Sequence, residues 1–270
     1  MQQPRKKVGL ALGSGAVRGL AHIGVLKVLI KNNIPIDYIS GCSIGAWVGA
    51  HYAFYQDLDK LTEATIGNKK EKMAVFLEPT LRGGMIKGEK VIELLKKYFG
   101  NYEFKDLRIP TSIVATDLGS GDRVLFNEGK ITDALRASMS VPYIFAPYKK
   151  DGMILVDGGI SNPVPDNIVR GMGADIVVSV NLDNFLKNKI SNWEKQSFTQ
   201  KMTRTIDVTR HYLAHYAMTS SDVIIEPNVQ LSGIKSWKNF FTAGEDEKII
   251  KIGEEEAAKA VLKIKELLNS

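Results

Sequence analysis

A chain of 270 residues, 44% hydrophobic and 24% charged, has globular composition, and its single cysteine, Cys42, excludes an internal disulfide framework and suits a reducing, cytoplasmic compartment. Lysine and arginine number 36 against 30 aspartates and glutamates; the formal net charge of +6 favours an anionic partner without saying which, a negatively charged membrane surface being one reading and an ordinary solvated surface the leading one. No zinc finger, basic recognition helix or aromatic RNA-binding strand accompanies that charge, so nucleic acid is not expected as a partner.

Val8 to Leu12 is a short apolar run that reads as a buried strand. Arg5-Lys6-Lys7 before it imitate a secretory leader, but the run soon passes into glycines and Arg18, so no leader is expected. The turn Gly13-Ser14-Gly15-Ala16-Val17-Arg18-Gly19 follows, and Leu20 to Lys31 then carries apolar residues at helical spacing. Ile36 to Ser40 is a second strand, and Ile44 to Tyr55 is a helix on which Gly45, Gly49 and Ala53 form a small-residue stripe for close packing on a sheet. The uncharged run from Ile39 to Gln56 approaches the length of a membrane span, but its serines, glycines and His51 favour a buried helix.

Further along, helices are expected over Leu58 to Phe76, Lys87 to Tyr98, Ile131 to Ser138, Gln200 to Ser220 and Glu245 to Leu268. Strands are expected over Ser112 to Thr116, Arg123 to Phe126, Met153 to Val156, Ile176 to Val180 and Val223 to Ile225. The alternation predicts one α/β domain over residues 1–270, with helices on both faces of a mostly parallel sheet. Its motif-bearing core runs over about 8–182, and a C-terminal helical extension over about 198–270. Asn184 to Phe198 is polar and lysine-containing, a lid or a long surface loop.

Gly41-Cys42-Ser43-Ile44-Gly45 is a G-x-S-x-G turn between a strand and a helix, the arrangement that lifts a serine nucleophile to the edge of a sheet. A plain glycine and serine turn packing a helix on a sheet is the alternative. The first loop fails as a dinucleotide fingerprint, because Arg18 stands where the third glycine belongs, and no P-loop pattern is present. An oxyanion hole accounts for both loops: Gly15, Ala16, Val17 and Arg18 are candidate amide donors, with Ile44 as another. The Arg18 side chain either braces the loop against a carboxylate or meets a lipid phosphate.

A serine nucleophile needs a base. His211 and His215 fall inside a helical stretch, His22 lies one turn into the first helix and His51 two turns into the serine helix, so none is well sited for Ser43. Asp157 closes an apolar strand and precedes Gly158-Gly159, which puts a carboxylate at the edge of a sheet; a simple Asp-Gly turn remains the alternative.

Together these elements resemble the patatin-like phospholipase family, in its bacterial branch, over Val8 to about Leu182. The resemblance rests on Gly13 to Gly19 as the oxyanion loop, Gly41 to Gly45 as the nucleophile turn and Asp157-Gly158-Gly159 as the family's D-G-[AG] element. Val114 to Leu118, Leu135 to Ser138 and Asn162 to Pro165 support it. It implies a three-layer α/β/α sandwich and hydrolysis of lipid acyl esters through an acyl-Ser43 intermediate, with Asp157 as base and neither metal, cofactor nor histidine. The implied partner is a lipid or fatty-acyl ester, with peripheral contact at the inner membrane surface. An acyltransferase using the same intermediate and a non-catalytic lipid-binding protein are the alternatives. Ser14, Ala16 and Tyr143 stand where relatives often carry glycine, while Trp193 and Ser236 to Phe241 suit either a membrane interface or ordinary packing.

Overall fold

A computed structural model describes residues 4–67, 75, 77–80, 84–184, 192–230 and 245–270. Among these, the strands are β1 (Val8–Leu12), β2 (Tyr38–Cys42), β3 (Gly84–Ile86), β4 (Thr111–Asp117), β5 (Arg123–Phe126), β6 (Tyr143–Phe145), β7 (Tyr148–Lys150), β8 (Met153–Asp157), β9 (Ile176–Val180) and β10 (Val223–Ile225). The helices are α1 (Leu20–Lys31), α2 (Ile44–Tyr55), α3 (Leu58–Ile66), α4 (Glu89–Phe99), α5 (Ile131–Ser138), α6 (Asp166–Gly171), α7 (Phe198–Ala217) and α8 (Asp246–Asn269).

The main sheet has the order β10-β9-β1-β2-β4-β8-β7, with β5 also on β4. Its first five strands are parallel, whereas β5, β7 and β8 join by antiparallel pairing. β1 shows why three layers form. Side chains alternate across a strand, and here Leu10 and Leu12 join the core shared with α1, α2 and α8, while Ala11 joins Val164, Val169 and Ala214 from the side of α6 and α7. Burial on both faces makes the run continuously apolar.

α8 crosses α1 backbone to backbone. A side chain added at Gly253 would begin 2.1 Å from the Ala21 carbonyl oxygen, and one at Gly24 would begin 2.0 Å from that of Ile250. Gly253→Ala is therefore expected to force the helices apart and to cost about 2 kcal/mol or more, a lower melting temperature by several degrees. An unchanged thermal melt would refute the crossing.

Several expectations meet corrections. β2 runs two residues later than expected, because pairing with both β1 and β4 carries Gly41 and Cys42 into the ladder despite their weak strand preference. α3 stops at Ile66, capped by the Gly67 amide on Glu63, short of the expected Phe76; residues 68–74 and 76 lie outside those described. The short strands β3, β6 and β7 and the helix α6 were not anticipated. Trp193 is partly exposed with Lys201 Nζ 5.4 Å from its ring centroid. Ser236 to Phe241 lie outside the described residues, as do residues 185–191 of the expected lid segment. Among the described residues, no helix is long and apolar enough to cross a membrane.

Candidate active site

Strand register brings Ser43 and Asp157 together. β2 pairs with β4 as far as Cys42 opposite Val114, and β8, running the other way, pairs with β4 as far as Asp157 opposite Ala115. β5 pairs with Ile113 to Thr116, overlapping both partners, so it must take the other edge of β4 and leave β2 and β8 on one edge. Two strands from distant parts of the chain therefore meet head-on, their ends set on adjacent residues of one splint.

At that junction Ser43 has φ 55° and ψ −121°, a conformation disfavoured for any side-chain-bearing residue, so the surrounding structure must hold it. The Ser43 amide donates to Ser138 Oγ at 2.8 Å, and the Asp157 amide donates to the Ser140 carbonyl at 2.9 Å. Gly45 lets α2 start against β1, since a side chain there would begin 2.1 Å from the Leu12 carbonyl oxygen. The Ser43 hydroxyl donates to Asp157 Oδ2 at 2.5 Å, while Oδ1 accepts the Gly159 amide at 2.7 Å and faces Cys42 Sγ at 3.7 Å. Ser43 and Asp157 are both buried. Burial raises the Asp157 pKa above the ordinary carboxylate range, against the opposing pull of Arg210, the Ser43 hydroxyl and the Gly159 amide.

The glycine loop lies beside this pair. Gly13 and Ser14 donate their amides to the carbonyls of Val180 and Pro163, at 3.0 and 2.8 Å. Ala16 to Gly19 form a 3-10 turn in which the Arg18 amide bonds the Gly15 carbonyl at 3.1 Å. This corrects the expectation that Arg18 offers an amide: the turn itself uses it. Among the described residues no acceptor meets the amides of Gly15, Ala16, Val17 or Ile44. The Arg18 side chain braces the loop, with Nη2 donating to Asp183 Oδ1 at 3.0 Å, and it is too buried to meet a lipid phosphate. Gly41 is the next-to-last residue of β2, opposite Ile113, Gly19 lies against the side chain of Ile44, and Gly158 lies against the Val114 carbonyl.

The histidines are engaged elsewhere. His22 Nε2 bonds the Gly13 carbonyl at 2.7 Å, His211 Nδ1 lies 2.7 Å from the Asp183 carbonyl, His215 is exposed, and His51 packs among Trp47, Tyr55, Tyr98 and Phe99. Burial lowers the pKa of His22 and of His51 from 6.5 to about 4. Only the unfolded chain takes up these protons as pH falls from 6.5 towards 4, so stability present at neutral pH is lost through that window, by several kcal/mol. Urea titrations at pH 7 and 4.5 measure the loss. His51→Phe should lessen it, and an equal loss in the variant would refute the assignment. Among the described residues, no group of three or more histidine, cysteine, aspartate or glutamate side chains is arranged to hold a metal ion.

Sequence reasoning missed four contributors: Ser138, Ser140, Asp183 and Arg210. Ser138 stands in a stretch that carried the family resemblance, and that was the one available signal; the other three are joined to the site by contacts between distant segments.

Comparison with known proteins agrees with this architecture. An uncharacterised NTE family protein of Mycobacterium tuberculosis is 36% identical over 178 residues, which are 66% of this chain and 49% of that protein. Human patatin-like phospholipase domain-containing protein 6 is 31% identical over 193 residues, 69% of this chain and 14% of that one. The chain thus spans about half the length of its mycobacterial relative and a small part of the human one. The crystal structure of VipD from Legionella pneumophila has the same fold at a TM-score of 0.56 and 14% identity, over 96% of this chain and 67% of that one. The family model described as patatin-like phospholipase matches residues 10–168, more than half of the chain, and that stretch holds the glycine loop, the serine turn and the aspartate that meets it: the chain belongs to the patatin-like phospholipase family.

Proposed function

We propose that the protein hydrolyses acyl esters of lipids through an acyl-Ser43 intermediate, with Asp157 as general base. The observation that carries this reading is the 2.5 Å hydrogen bond from a strained, buried serine to a carboxylate, in a chain of a phospholipase family. Ser43 Oγ attacks the ester carbonyl carbon as its proton passes to Asp157 Oδ2, and the carbonyl oxygen becomes an oxyanion. The unoccupied amides of Gly15, Ala16, Val17 and Ile44 are the donors offered to it, and each well-aimed donor contributes about 3 kcal/mol to such a transition state. Collapse expels the alcohol, which takes the proton from Asp157. Water then attacks the acyl-serine as it gives a proton to Asp157, and collapse releases the fatty acid while Asp157 returns that proton to Ser43 Oγ.

The raised pKa of Asp157 suits this role, because a base performs best with a pKa nearer the working pH. In this reading Gly13, Gly19, Gly41, Gly45, Gly158 and Gly159 shape the two loops, and residues 1–270 act as one domain. The cytoplasmic side of the inner membrane is the setting that goes with it, the protein meeting the lipid surface peripherally. Treatment with a fluorophosphonate probe, read by peptide mass spectrometry, is expected to label Ser43. No labelling, or labelling confined to another serine, would overturn the proposal.

A further inference from the structure

The family model ends at residue 168, yet one of the side chains closest to the site comes from well beyond it. Arg210 projects from α7 into the interior, where its Nη2 donates to Ser14 Oγ at 2.6 Å and to the two oxygens of Asp183 at 3.0 and 2.9 Å. Asp183 lies just beyond β9, almost wholly buried, and also accepts from Arg18 at 3.0 Å. Ser14 and Arg18 stand at either side of Gly15, Ala16 and Val17, the turn whose amides are unoccupied. One buried ion cluster therefore grips both ends of that turn.

The cluster also adjoins the dyad. A side chain on Gly159 would begin 2.9 Å from Ser14 Oγ and 3.0 Å from Asp157 Oδ1, so these two oxygens face each other across a glycine. We propose that Arg210 is a positioning residue of the reaction: through Ser14, and through Asp183 to Arg18, it holds both ends of the Gly15–Val17 turn, and it sets a positive charge behind Asp157. This rests on the acyl-serine reading above. A buried carboxylate that must be ionised to accept a proton needs a cation nearby, and among the described residues Arg210 is the cation acting on Asp157.

The other groups facing this region are Cys42 and Ser43 beside Asp157, Asp183 beyond β9, Arg18 in the glycine loop and Asp207 with Arg204 on α7. Burial works against the charge of Arg210, but Asp183, Asp157 and Asp207 outweigh it and raise its pKa, so it stays cationic. A purely structural arginine would influence melting alone; this one should influence the pH dependence of catalysis.

The test compares Arg210→Met, Arg210→Lys and Ser14→Ala with the unaltered 270-residue chain, by the pH profile of p-nitrophenyl ester hydrolysis and by the rate of fluorophosphonate labelling of Ser43. Loss of the cation in Arg210→Met should lower kcat at least tenfold at neutral pH, with little change in KM, and move the acid limb of kcat up by about one pH unit or more. Arg210→Lys keeps a charge, but its shorter side chain falls short of the Nη2 position that bonds Ser14 and Asp183, so its limb should stay in place while kcat falls; Ser14→Ala should behave likewise. Labelling of the unaltered protein and of a folded Arg210→Met at equal rates, with superimposable pH profiles, would overturn this inference and leave the acyl-serine reading standing. Absence of labelling in the unaltered protein would overturn both. If Arg210→Met does not fold, unchanged kcat in Arg210→Lys and Ser14→Ala would overturn the inference instead.

Discussion

Asp157→Asn is expected to lower kcat for ester hydrolysis by about three orders of magnitude, with KM within a few-fold of the unaltered protein, because the amide keeps the shape of the carboxylate but cannot accept the proton. Ser43→Ala should lose at least as much, and the double variant little more, since a nucleophile and its base act as one unit. The pH dependence has a definite sign. Burial holds the pKa of Asp157 above the usual carboxylate range, so activity rises as pH climbs through that raised value and is lost below it. Steady-state kinetics from pH 4 to 8 would show the limb in the unaltered protein and its disappearance from the residual rate of Asp157→Asn. A residual rate that keeps the same limb would assign the base elsewhere.

Arg136→Met is expected to cost about 4 kcal/mol or more, roughly a 10 °C fall in melting temperature, together with most of the activity. This buried guanidinium donates to the carbonyls of Gly88, Lys87 and Ala146, each at 3.0 Å, and to the Ser140 hydroxyl. Burial lowers its pKa to about 10, which still leaves it charged. Removing it strands carbonyls beside the end of α5, where Ser138 and, just past the helix, Ser140 receive the amides of Ser43 and Asp157. Arg136→Lys should rescue little, because an ammonium group cannot reproduce the planar fork. Thermal melts and circular dichroism of both variants decide this, and a lysine variant with unaltered stability would refute it.

The strands and helices that carry the site were legible because each has a period of its own. Val8 to Leu12 is apolar throughout, since both faces of a parallel strand are covered, and Ser43 was legible because only small residues tolerate the turn it occupies. The direction of β8 was not legible: an apolar run ending in Asp157 looks the same whether it joins the sheet parallel or antiparallel. Strands of three residues, such as Tyr143–Phe145, are too short to display alternation. Arg210 was hidden for a different reason. α7 carries polar residues on most of its surface, and spacing alone does not reveal which of its cations turns inward to meet Asp183.

The end-to-end meeting of β2 and β8 has a kinetic corollary. Ser43 and Asp157 stand 114 residues apart in the chain, and their two strands share no ladder of their own, each pairing with β4 as the common template. Closing so long a loop is entropically slow, so the hydroxyl and the carboxylate become partners only when the antiparallel edge has docked. On the acyl-serine reading, the return of ester hydrolysis after dilution from urea is a clock for that docking step.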